Sequence, residues 1–243
     1  DLVERHESLR TVFPDTAQAP EQRVLPPEAA RPVLQVEDAT EATLAQRIEE
    51  ASAYSFRLDS EIPFRAWLYH LESGQHLLLL LCHHIACDGW SWAPMARDLS
   101  QAYAARCEGK PPVWEPLPVQ YADYTVWQHE LLGSESDPES LIATQLRYWQ
   151  QTLAGLPEQL ELPTDKPRPA VSSHASDTVP FRLDADLHRR LLSLAREGKA
   201  SLFMVLQAAL ATLFTRLGAG TDIALGSPIA GRTDEALDDL VGF

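Results

Sequence analysis

The sequence predicts an α/β fold, and two patterns carry that prediction. The first is a hairpin of apolar strands, residues 64–71 and 76–84, joined by a turn that contains Gly74. The second is a series of segments whose apolar residues recur every three or four positions, which is typical of one face of a helix. The chain has 243 residues, 45% of them hydrophobic, and that is enough to bury the core of a sheet covered by helices.

Helical periodicity begins at the first residues of the chain. Apolar positions within residues 1–13 would share one stripe, so this segment is expected to form one helix. The same spacing predicts six further helices, over residues 41–54, 91–106, 121–132 and 138–153, from about residue 184, and over residues 201–217.

The second hairpin strand, residues 76–84, carries apolar side chains at both odd and even positions. Such a strand is covered on both faces, so we expect it to be central in its sheet. Alternating apolar residues over 179–183 predict another strand, and residues 222–225 are a candidate for the start of a further one. Gly218 and Gly220 separate that candidate from the preceding helix.

Clustered prolines predict where the chain divides. Those within residues 111–118 exclude a regular helix or a central strand there. A second set, within residues 157–169, predicts a stiff, extended connection. We therefore expect an N-terminal lobe at residues 1–162, a proline-rich linker at residues 163–177, and the beginning of a C-terminal lobe at residues 178–243.

Charge and composition exclude several classes of function. A net charge of −15 and scattered cations argue against a nucleic-acid or anionic-membrane partner, since phosphates are bound by clustered Lys and Arg. No apolar run approaches the roughly 18 residues of a membrane span, and no signal peptide is evident. The three cysteines have no metal-site spacing, which favours a reducing, cytoplasmic compartment and no bound metal. Cys82 is expected to be a core residue.

The most informative chemical feature is a histidine pair, His83 and His84, at the end of the apolar strand. Neighbouring strand side chains point to opposite faces, so one histidine can meet a substrate while the other is held in the scaffold. The pKa of a free imidazole, about 6.5, suits proton transfer. Asp88 follows the strand and would orient a histidine or form a buried ion pair. Gly89 permits close approach, and its N–H is a candidate donor to a developing oxyanion.

From these residues alone, the segment favours a histidine-dependent acyl transferase or hydrolase. Opposite-facing neighbours are poor co-ligands, so a metal site is disfavoured. No G-x-S-x-G elbow, P-loop or dinucleotide-binding fingerprint competes with this interpretation.

Several motifs resemble those of nonribosomal peptide synthetase condensation domains. Residues 83–89, HHIACDG, are similar to the HHxxxDG signature, and residues 5–13, RHESLRTVF, resemble the family's RHExLRTxF motif. Residues 121–127, YADYTVW, match YxDYxxW, and residues 241–243, VGF, look like the opening of the next motif. Their order, with family-like text such as LPTDKPRP at residues 162–169, extends the resemblance over nearly the whole chain.

The resemblance implies a chloramphenicol-acetyltransferase-like fold of two lobes with an active-site tunnel between them. It also implies peptide-bond formation between thioesters carried on the phosphopantetheine arms of upstream and downstream peptidyl carrier proteins, next to adenylation or epimerisation domains. No cofactor is bound by the domain itself. His84 is the position that the family uses for catalysis, either as a base for the acceptor amine or as the group that positions it.

In the same family, Asp88 is structural and pairs with an arginine. Helical geometry does not choose between Arg5 and Arg10, and Arg5 is slightly preferred. With His83, these residues are expected to support the site. Candidate tunnel-lining residues are Trp90, which core packing would explain equally well, and Tyr121 and Trp127, whose motif is expected to be mainly architectural.

The resemblance leaves several alternatives open. Ala86 and the run WEPLPVQY at residues 114–121 look more like the subtype that takes a D-configured donor. The family's first motif and most of the second lobe are absent, so the fold is expected to be incomplete and the isolated fragment is not expected to perform the reaction alone. An epimerisation domain, a coenzyme A-dependent acyltransferase and a catalytically silent, carrier-recruiting module are the competing functions. The last typically has a broken signature, and this signature is intact.

Overall fold

The computed structural model describes residues 1–16, 20–167, 169–173 and 177–243. Helices and strands are mixed along the chain, which confirms the α/β class. Backbone proximity divides the chain into two compact units, of which the first comprises residues 1–143 together with 230–243, and the second comprises residues 144–229.

These units do not coincide with the lobes predicted at residues 1–162 and 178–243. The last stretch, residues 230–243, belongs to the first compact unit although it lies in the predicted second lobe. The lobe boundary itself stays a prediction, and Arg168 and residues 174–176 of the predicted linker lie outside the described residues.

Among the described residues, five strands form two small sheets in the first unit. Strands β1 (Thr11–Val12) and β2 (Arg23–Val24) pair antiparallel. Strand β3 (Leu34–Ala39) runs parallel to β4 (Phe64–Leu71), which pairs antiparallel with β5 (His76–Cys82). The predicted hairpin is therefore confirmed.

Strand β5 lies at the edge of the described three-stranded sheet, and β4 is the central strand. The prediction that residues 76–84 are central was wrong because β3 pairs with β4 and leaves β5 with one described neighbour. The two-sided apolar pattern has another cause. Leu77 and Leu79 pack against a cluster around Tyr69, whereas Leu80 and Cys82 pack against a second cluster around Phe64. Each face of β5 thus contributes to a different core.

Those two cores hold the first unit together. One lies under helix α2 (Glu41–Ser52) and is built on Trp67 and Tyr69, which are 5% and 1% exposed. The other joins the opposite sheet face to helix α3 (Trp92–Cys107) through Phe64 and Met95. The first residues of the chain and later loops supply the rest of this second core, which includes Leu2, Leu9, Cys87 and Val241.

The first segment is broken where the sequence predicts one helix over residues 1–13. Helix α1 (Leu2–Arg5) ends at His6, whose backbone is extended, and a 3₁₀ turn (Glu7–Arg10) follows before β1. The side chain of Gln120 explains the break, since its amide donates to the Arg5 carbonyl at 2.9 Å and its oxygen accepts from the Glu7 N–H at 3.1 Å. A distant side chain supplies the hydrogen bonds that an unbroken helix would have made.

The helix break directs His6 and Arg5 at one buried carboxylate on α3. Asp98 is 1% exposed, and its Oδ2 accepts from Arg5 Nε at 2.7 Å and from His6 Nε2 at 3.0 Å. Burial works to raise the pKa of Asp98, but Arg5, together with Arg97 and His6, outweighs burial and holds that pKa below its usual value. Burial lowers the pKa of His6 despite the neighbouring carboxylate, so the ring is neutral and donates from Nε2.

The remaining helices match the predicted segments closely. Helices α4 (Tyr121–Leu132) and α5 (Leu141–Thr152) follow the first proline cluster. In the second unit, α6 (Ala185–Glu197) and α7 (Leu202–Arg216) begin at side-chain caps, where Asp184 accepts from the Leu187 N–H and Ser201 accepts from the Met204 N–H. Gly218 follows α7 with a φ of 94°, a left-handed conformation that ends the helix as expected.

The two strands predicted beyond residue 177 are not formed in this structure. Residues 179–183 have the alternation of a strand but pair with no strand in the part of the chain that the structure describes, and Val179 and Phe181 are both 86% exposed. Residues 222–225 are likewise irregular. Alternation alone does not make a strand, because strand backbone needs a neighbour to satisfy its hydrogen bonds.

Within the described ranges, no single helix is both long enough and apolar enough to cross a membrane. Only α6 and α7 taken together pass that test of length and composition, and they meet at a bend of 101°.

Replacing the buried carboxylate by Asp98→Asn should lower the free energy of unfolding at pH 7 by about 3–5 kcal/mol, because Arg5 is left with a largely buried, unpaired charge. Since the pKa of Asp98 is lower in the folded state, its ionic stabilisation is present above the ordinary carboxyl pKa of about 3.9 and is lost as pH falls through the lower folded value. Urea unfolding of wild type and variant at pH 7, 5 and 3 measures this difference, which should shrink at the acid end.

The matched control is Asp38→Asn, because the Asp38 side chain is 97% exposed. We expect it to change the free energy of unfolding by less than about 0.5 kcal/mol. Equal stability of Asp98→Asn and wild type at pH 7 would contradict the proposed anchoring role of the carboxylate.

Candidate active site

The histidine pair follows the end of β5, where the chain turns away from the sheet. The His83 N–H still donates to the Pro63 carbonyl at 2.9 Å, so the ladder extends one residue beyond the strand. The Ala86 N–H then donates to the His83 carbonyl at 3.0 Å and closes a turn over residues 83–86. His84 stands at the first corner of this turn.

The structure separates the surroundings of the two rings. His83 Nδ1 accepts from the Ile85 N–H at 3.1 Å, which places the proton of the neutral ring on Nε2, and the ring lies edge-on to Phe56 at 5.9 Å. The His84 side chain is exposed, and its ring meets the ring of Phe243 at 5.2 Å and 70°. One imidazole is hydrogen-bonded within the turn while the other is exposed, and the turn after β5 rather than strand alternation separates them.

Asp88 is paired with Arg232. The Arg232 Nη2 group lies 3.1 Å from Asp88 Oδ1 and 3.3 Å from Oδ2, and the two side chains are only 9% and 15% exposed. The expectation that Arg5 or Arg10 makes this pair was wrong. Arg5 is engaged by Asp98, and Arg10 donates to the Leu25 carbonyl and pairs with Glu7. Because α1 ends at Arg5, these two arginines do not share the helix on which the prediction depended.

Arg232 was missed by the sequence analysis, and no local pattern identifies it. It lies 144 residues from Asp88 and in an irregular stretch, so neither spacing nor periodicity connects the two. A buried ion pair of such separation is found only when the fold brings its partners together.

Ser91 was also missed, although it directly follows the segment already singled out. It is 0% exposed, its Oγ lies 2.8 Å from Asp88 Oδ1, and it accepts from the Asp88 N–H at 3.1 Å. The same Oγ lies 2.9 Å from the Gly242 carbonyl oxygen and accepts from the Gly242 N–H at 3.2 Å. Its position ahead of α3, where serine commonly caps helices, is the one signal that the sequence offered.

Tyr121 closes the other side of Gly242. A Cβ atom added at Gly242 would lie 2.2 Å from Cδ2 of the Tyr121 ring, so the phenol packs directly on the glycine backbone. Burial raises the pKa of Tyr121, and the phenol stays neutral at physiological pH. The backbone of residues 241–243 is thus held between a serine on one side and a tyrosine on the other.

Trp90 and Trp127 are 51% and 46% exposed. Trp127 and Tyr124 contribute to a cavity of about 320 Å³ whose lining also includes Asp123 and Asp234. Whether Trp90, Tyr121 and Trp127 line a tunnel stays a prediction.

Gly89 is exposed, and a Cβ atom added to it would meet nothing within 4 Å. Its backbone does not adopt a left-handed conformation. Neither turn geometry nor crowding therefore requires glycine at this position, and the role of Gly89 stays a prediction.

The thiols of Cys82 and Cys87 lie beside the signature turn. Both point toward the His83 carbonyl, at 3.6 Å and 3.9 Å, and Cys82 packs on the core as expected. A hydrogen bond to Cys87 together with burial raises the pKa of the Cys82 thiol. Over the residues that the structure describes, no group of three or more His, Cys, Asp or Glu side chains has the arrangement of a metal site.

Comparison with known proteins gives consistent matches. A family model described as a condensation domain matches residues 1–243. The chain is 57% identical to a dimodular nonribosomal peptide synthase of Bacillus subtilis and 48% identical to an isonitrile lipopeptide synthase of Mycobacterium tuberculosis, in each case over 100% of this chain and 10% of the relative.

A solved structure also matches at high similarity. It is the X-domain from teicoplanin biosynthesis in complex with OxyB, which is 39% identical with a TM-score of 0.90 over 100% of this chain and 53% of that one. The chain thus spans about a tenth of these curated relatives and about half of the solved domain.

The Asp88–Arg232 pair predicts a specific pattern of coupling. Asp88→Ala and Arg232→Ala should each lower the free energy of unfolding by about 3–5 kcal/mol, because each leaves a largely buried charge without its partner. The double variant should lose clearly less than the sum, since no charge is then left unpaired. Chemical denaturation of the four proteins measures the coupling.

Arg5→Ala combined with Asp88→Ala provides the contrast, because Arg5 pairs with a different carboxylate. Those two losses should add within about 0.5 kcal/mol. An exposed pair gives the baseline, since Arg23 and Glu21 are 3.8 Å apart and more than half exposed, and Arg23→Ala should cost less than about 0.5 kcal/mol. Coupling of Asp88 to Arg5 and not to Arg232 would refute the assigned pairing.

Proposed function

The chain belongs to the condensation-domain family, and on that premise we propose that it takes part in peptide-bond formation by a nonribosomal peptide synthetase. In this proposal it joins donor and acceptor aminoacyl or peptidyl thioesters that are held on carrier proteins. Both curated relatives described above are synthases named for peptide or lipopeptide products, which supports the class of reaction.

The observation that carries the proposal is the different environment of the two signature histidines. His83 Nδ1 accepts a hydrogen bond from the Ile85 N–H, so this nitrogen stabilises the turn and does not face a substrate. The exposed His84 ring is free to meet a substrate from solvent, with Phe243 packed on one edge. We therefore assign the chemistry to His84 and the support of the loop to His83.

Amide formation from a thioester needs only limited acid–base catalysis by the enzyme. The acceptor amine attacks the thioester carbonyl, a C–N bond forms, the C–S bond breaks, and the pantetheine thiol leaves. A free α-amine has a pKa near 8 and is already partly neutral at pH 7. His84 is proposed to accept a hydrogen bond from this amine, to receive its proton as the C–N bond forms, and to return that proton to the departing thiolate. Orientation alone is worth several kcal/mol in such a step.

Gly89 and Asp88 have supporting roles in this proposal. The N–H of Gly89, an exposed residue, is a candidate donor to the oxyanion of the tetrahedral intermediate. Asp88, neutralised by Arg232, holds the loop and does not contact the substrate.

The partners follow from the same chemistry. The substrates arrive as thioesters on phosphopantetheine arms, so the protein works with an upstream and a downstream carrier protein and with neighbouring adenylation or epimerisation domains. Free cysteines at positions 82, 87 and 107 favour a reducing compartment, and we place the protein in the cytoplasm. A D-configured donor stays a prediction from the residues around Ala86.

A second candidate role is the recruitment of another protein. It is favoured by the likeness to the X-domain, which was solved in complex with OxyB. In that role the His84 ring would be dispensable, and this difference makes the two functions separable by experiment.

Introducing His84→Ala into the parent synthetase, loaded with donor and acceptor on their carrier proteins, should lower the rate of product formation on the downstream carrier by about 10²–10⁴-fold. The stability of the domain should hardly change, because the ring is exposed. His83→Ala should instead lower the thermal unfolding temperature, because the Ile85 N–H loses its acceptor.

The matched control is His76→Ala, an exposed histidine at the opposite end of the same strand, which should leave the rate unchanged. Full product formation by His84→Ala would overturn the catalytic assignment and favour the recruiting role. Epimerised donor without condensation in the wild-type protein would favour an epimerase. Partial activity of His84→Gln, with no loss of an ionisation from the pH–rate profile, would show that positioning dominates over proton transfer.

A further inference from the structure

We infer that Ser91 is a positioning residue for His84: its buried hydroxyl fixes the backbone of Gly242, and Gly242 in turn holds Phe243 against the His84 ring. The inference rests on the proposed function, in which the His84 imidazole meets the acceptor amine. It assigns a role to a side chain outside the signature and to a segment 151 residues away from it.

The Ser91 hydroxyl is fully used by four neighbouring atoms. It accepts from two backbone N–H groups, those of Asp88 at 3.1 Å and Gly242 at 3.2 Å. Its single proton faces two acceptors, Asp88 Oδ1 at 2.8 Å and the Gly242 carbonyl oxygen at 2.9 Å. A hydroxyl has one donor and two acceptor sites, so every site is engaged. With 0% exposure, no water replaces these bonds if the hydroxyl is removed.

Both backbone polar groups of Gly242 therefore meet the Ser91 hydroxyl, and the carbonyl oxygen also lies 3.5 Å from Arg232 Nη2. The residue before it, Val241, is 2% exposed and belongs to the core that contains Met95 and Cys87. On the other side the Tyr121 ring leaves no room even for a methyl group on Gly242. Four contacts thus hold the backbone just before Phe243, and they come from the core, Ser91, Tyr121 and Arg232.

Phe243 connects the fixed backbone of Gly242 to the His84 ring. Its own side chain is 64% exposed, so burial does not fix it, yet its ring meets the His84 ring at 5.2 Å. Because His84 is itself exposed, its rotamer depends on the few groups that touch it. The aromatic edge of Phe243, held through Gly242, restricts where the imidazole nitrogens point.

The position of the imidazole decides the rate of a reaction that depends mainly on orientation. A displacement of about 1 Å in a catalytic group can cost about 100-fold in rate. The expected effect of loosening residues 241–243 is thus a lower turnover number with unchanged affinity for the carrier-bound acceptor.

The test uses the parent synthetase with Ser91→Ala and Phe243→Ala, each alone and each combined with His84→Ala. Both single variants should lower kcat per folded molecule by about 10- to 100-fold, with KM for the acceptor carrier protein unchanged. Neither should slow the His84→Ala protein further, because each acts only through the imidazole. Phe243→Ala removes an exposed side chain, so it folds even where Ser91→Ala does not.

Ser100→Ala is the matched control, because Ser100 lies on the exposed side of α3 and its hydroxyl donates only to the Ala96 carbonyl one turn earlier. It should change neither kcat nor KM. Thermal unfolding of each variant gives the folded fraction by which the rates are divided.

The outcomes separate this inference from the proposed function. If His84→Ala forms product at the wild-type rate, the proposed function fails. If His84→Ala is slow but both single variants match wild type per folded molecule, or slow it further in combination, only the positioning role of Ser91 is overturned. A raised KM with unchanged kcat for Phe243→Ala would make that ring a substrate contact and would likewise overturn it.

Discussion

The candidate site depends on the buried ion pair between Asp88 and Arg232. The Asp88 side chain is only 15% exposed, so its ionised carboxylate needs a partner of opposite charge. Arg232, from a distant part of the sequence, is that partner. Once the pair is formed, the Ser91 hydroxyl and the Gly242 backbone complete the same network, and the turn that carries both histidines is held at its downstream end. Its upstream end is held by the sheet, through the His83 N–H and the Pro63 carbonyl.

A second buried carboxylate performs the corresponding task at the beginning of the chain. Asp98 on α3 gathers Arg5 and His6 and so fixes the first segment against the helix that follows the signature. The two aspartates are stabilised in the same way. The side chain of each is largely shielded from solvent, and each is paired with an arginine from another part of the sequence. Helix α3 begins shortly after Asp88 and carries Asp98. It therefore connects the first segment of the chain, which Asp98 holds, to the turn that carries the two histidines.

Local structure could be predicted from the sequence where local residues decide it. The hairpin over residues 64–84 and the helix at residues 121–132 both form as their periodicity indicates. The expectation failed where a distant group decides the outcome. Gln120 ends the first helix from more than a hundred residues away, and a strand-like pattern at residues 179–183 finds no partner. The histidines and Asp88 were identified from their motif, whereas the Asp88–Arg232 and Ser91–Gly242 contacts join residues more than 140 positions apart and leave no pattern in the sequence.

The return of residues 230–243 to the first compact unit has a consequence for recombination between synthetases. A crossover placed in the proline-rich segment, where the sequence predicts a boundary between lobes, takes Asp88 and Ser91 from one parent. It takes Arg232 and Gly242 from the other parent. Such a chimaera keeps its signature loop only if the second parent offers an arginine and a glycine in register with the first. An exchange that keeps these contacts must therefore carry residues 83–243 together. It does so although residues 144–229 belong to the second compact unit.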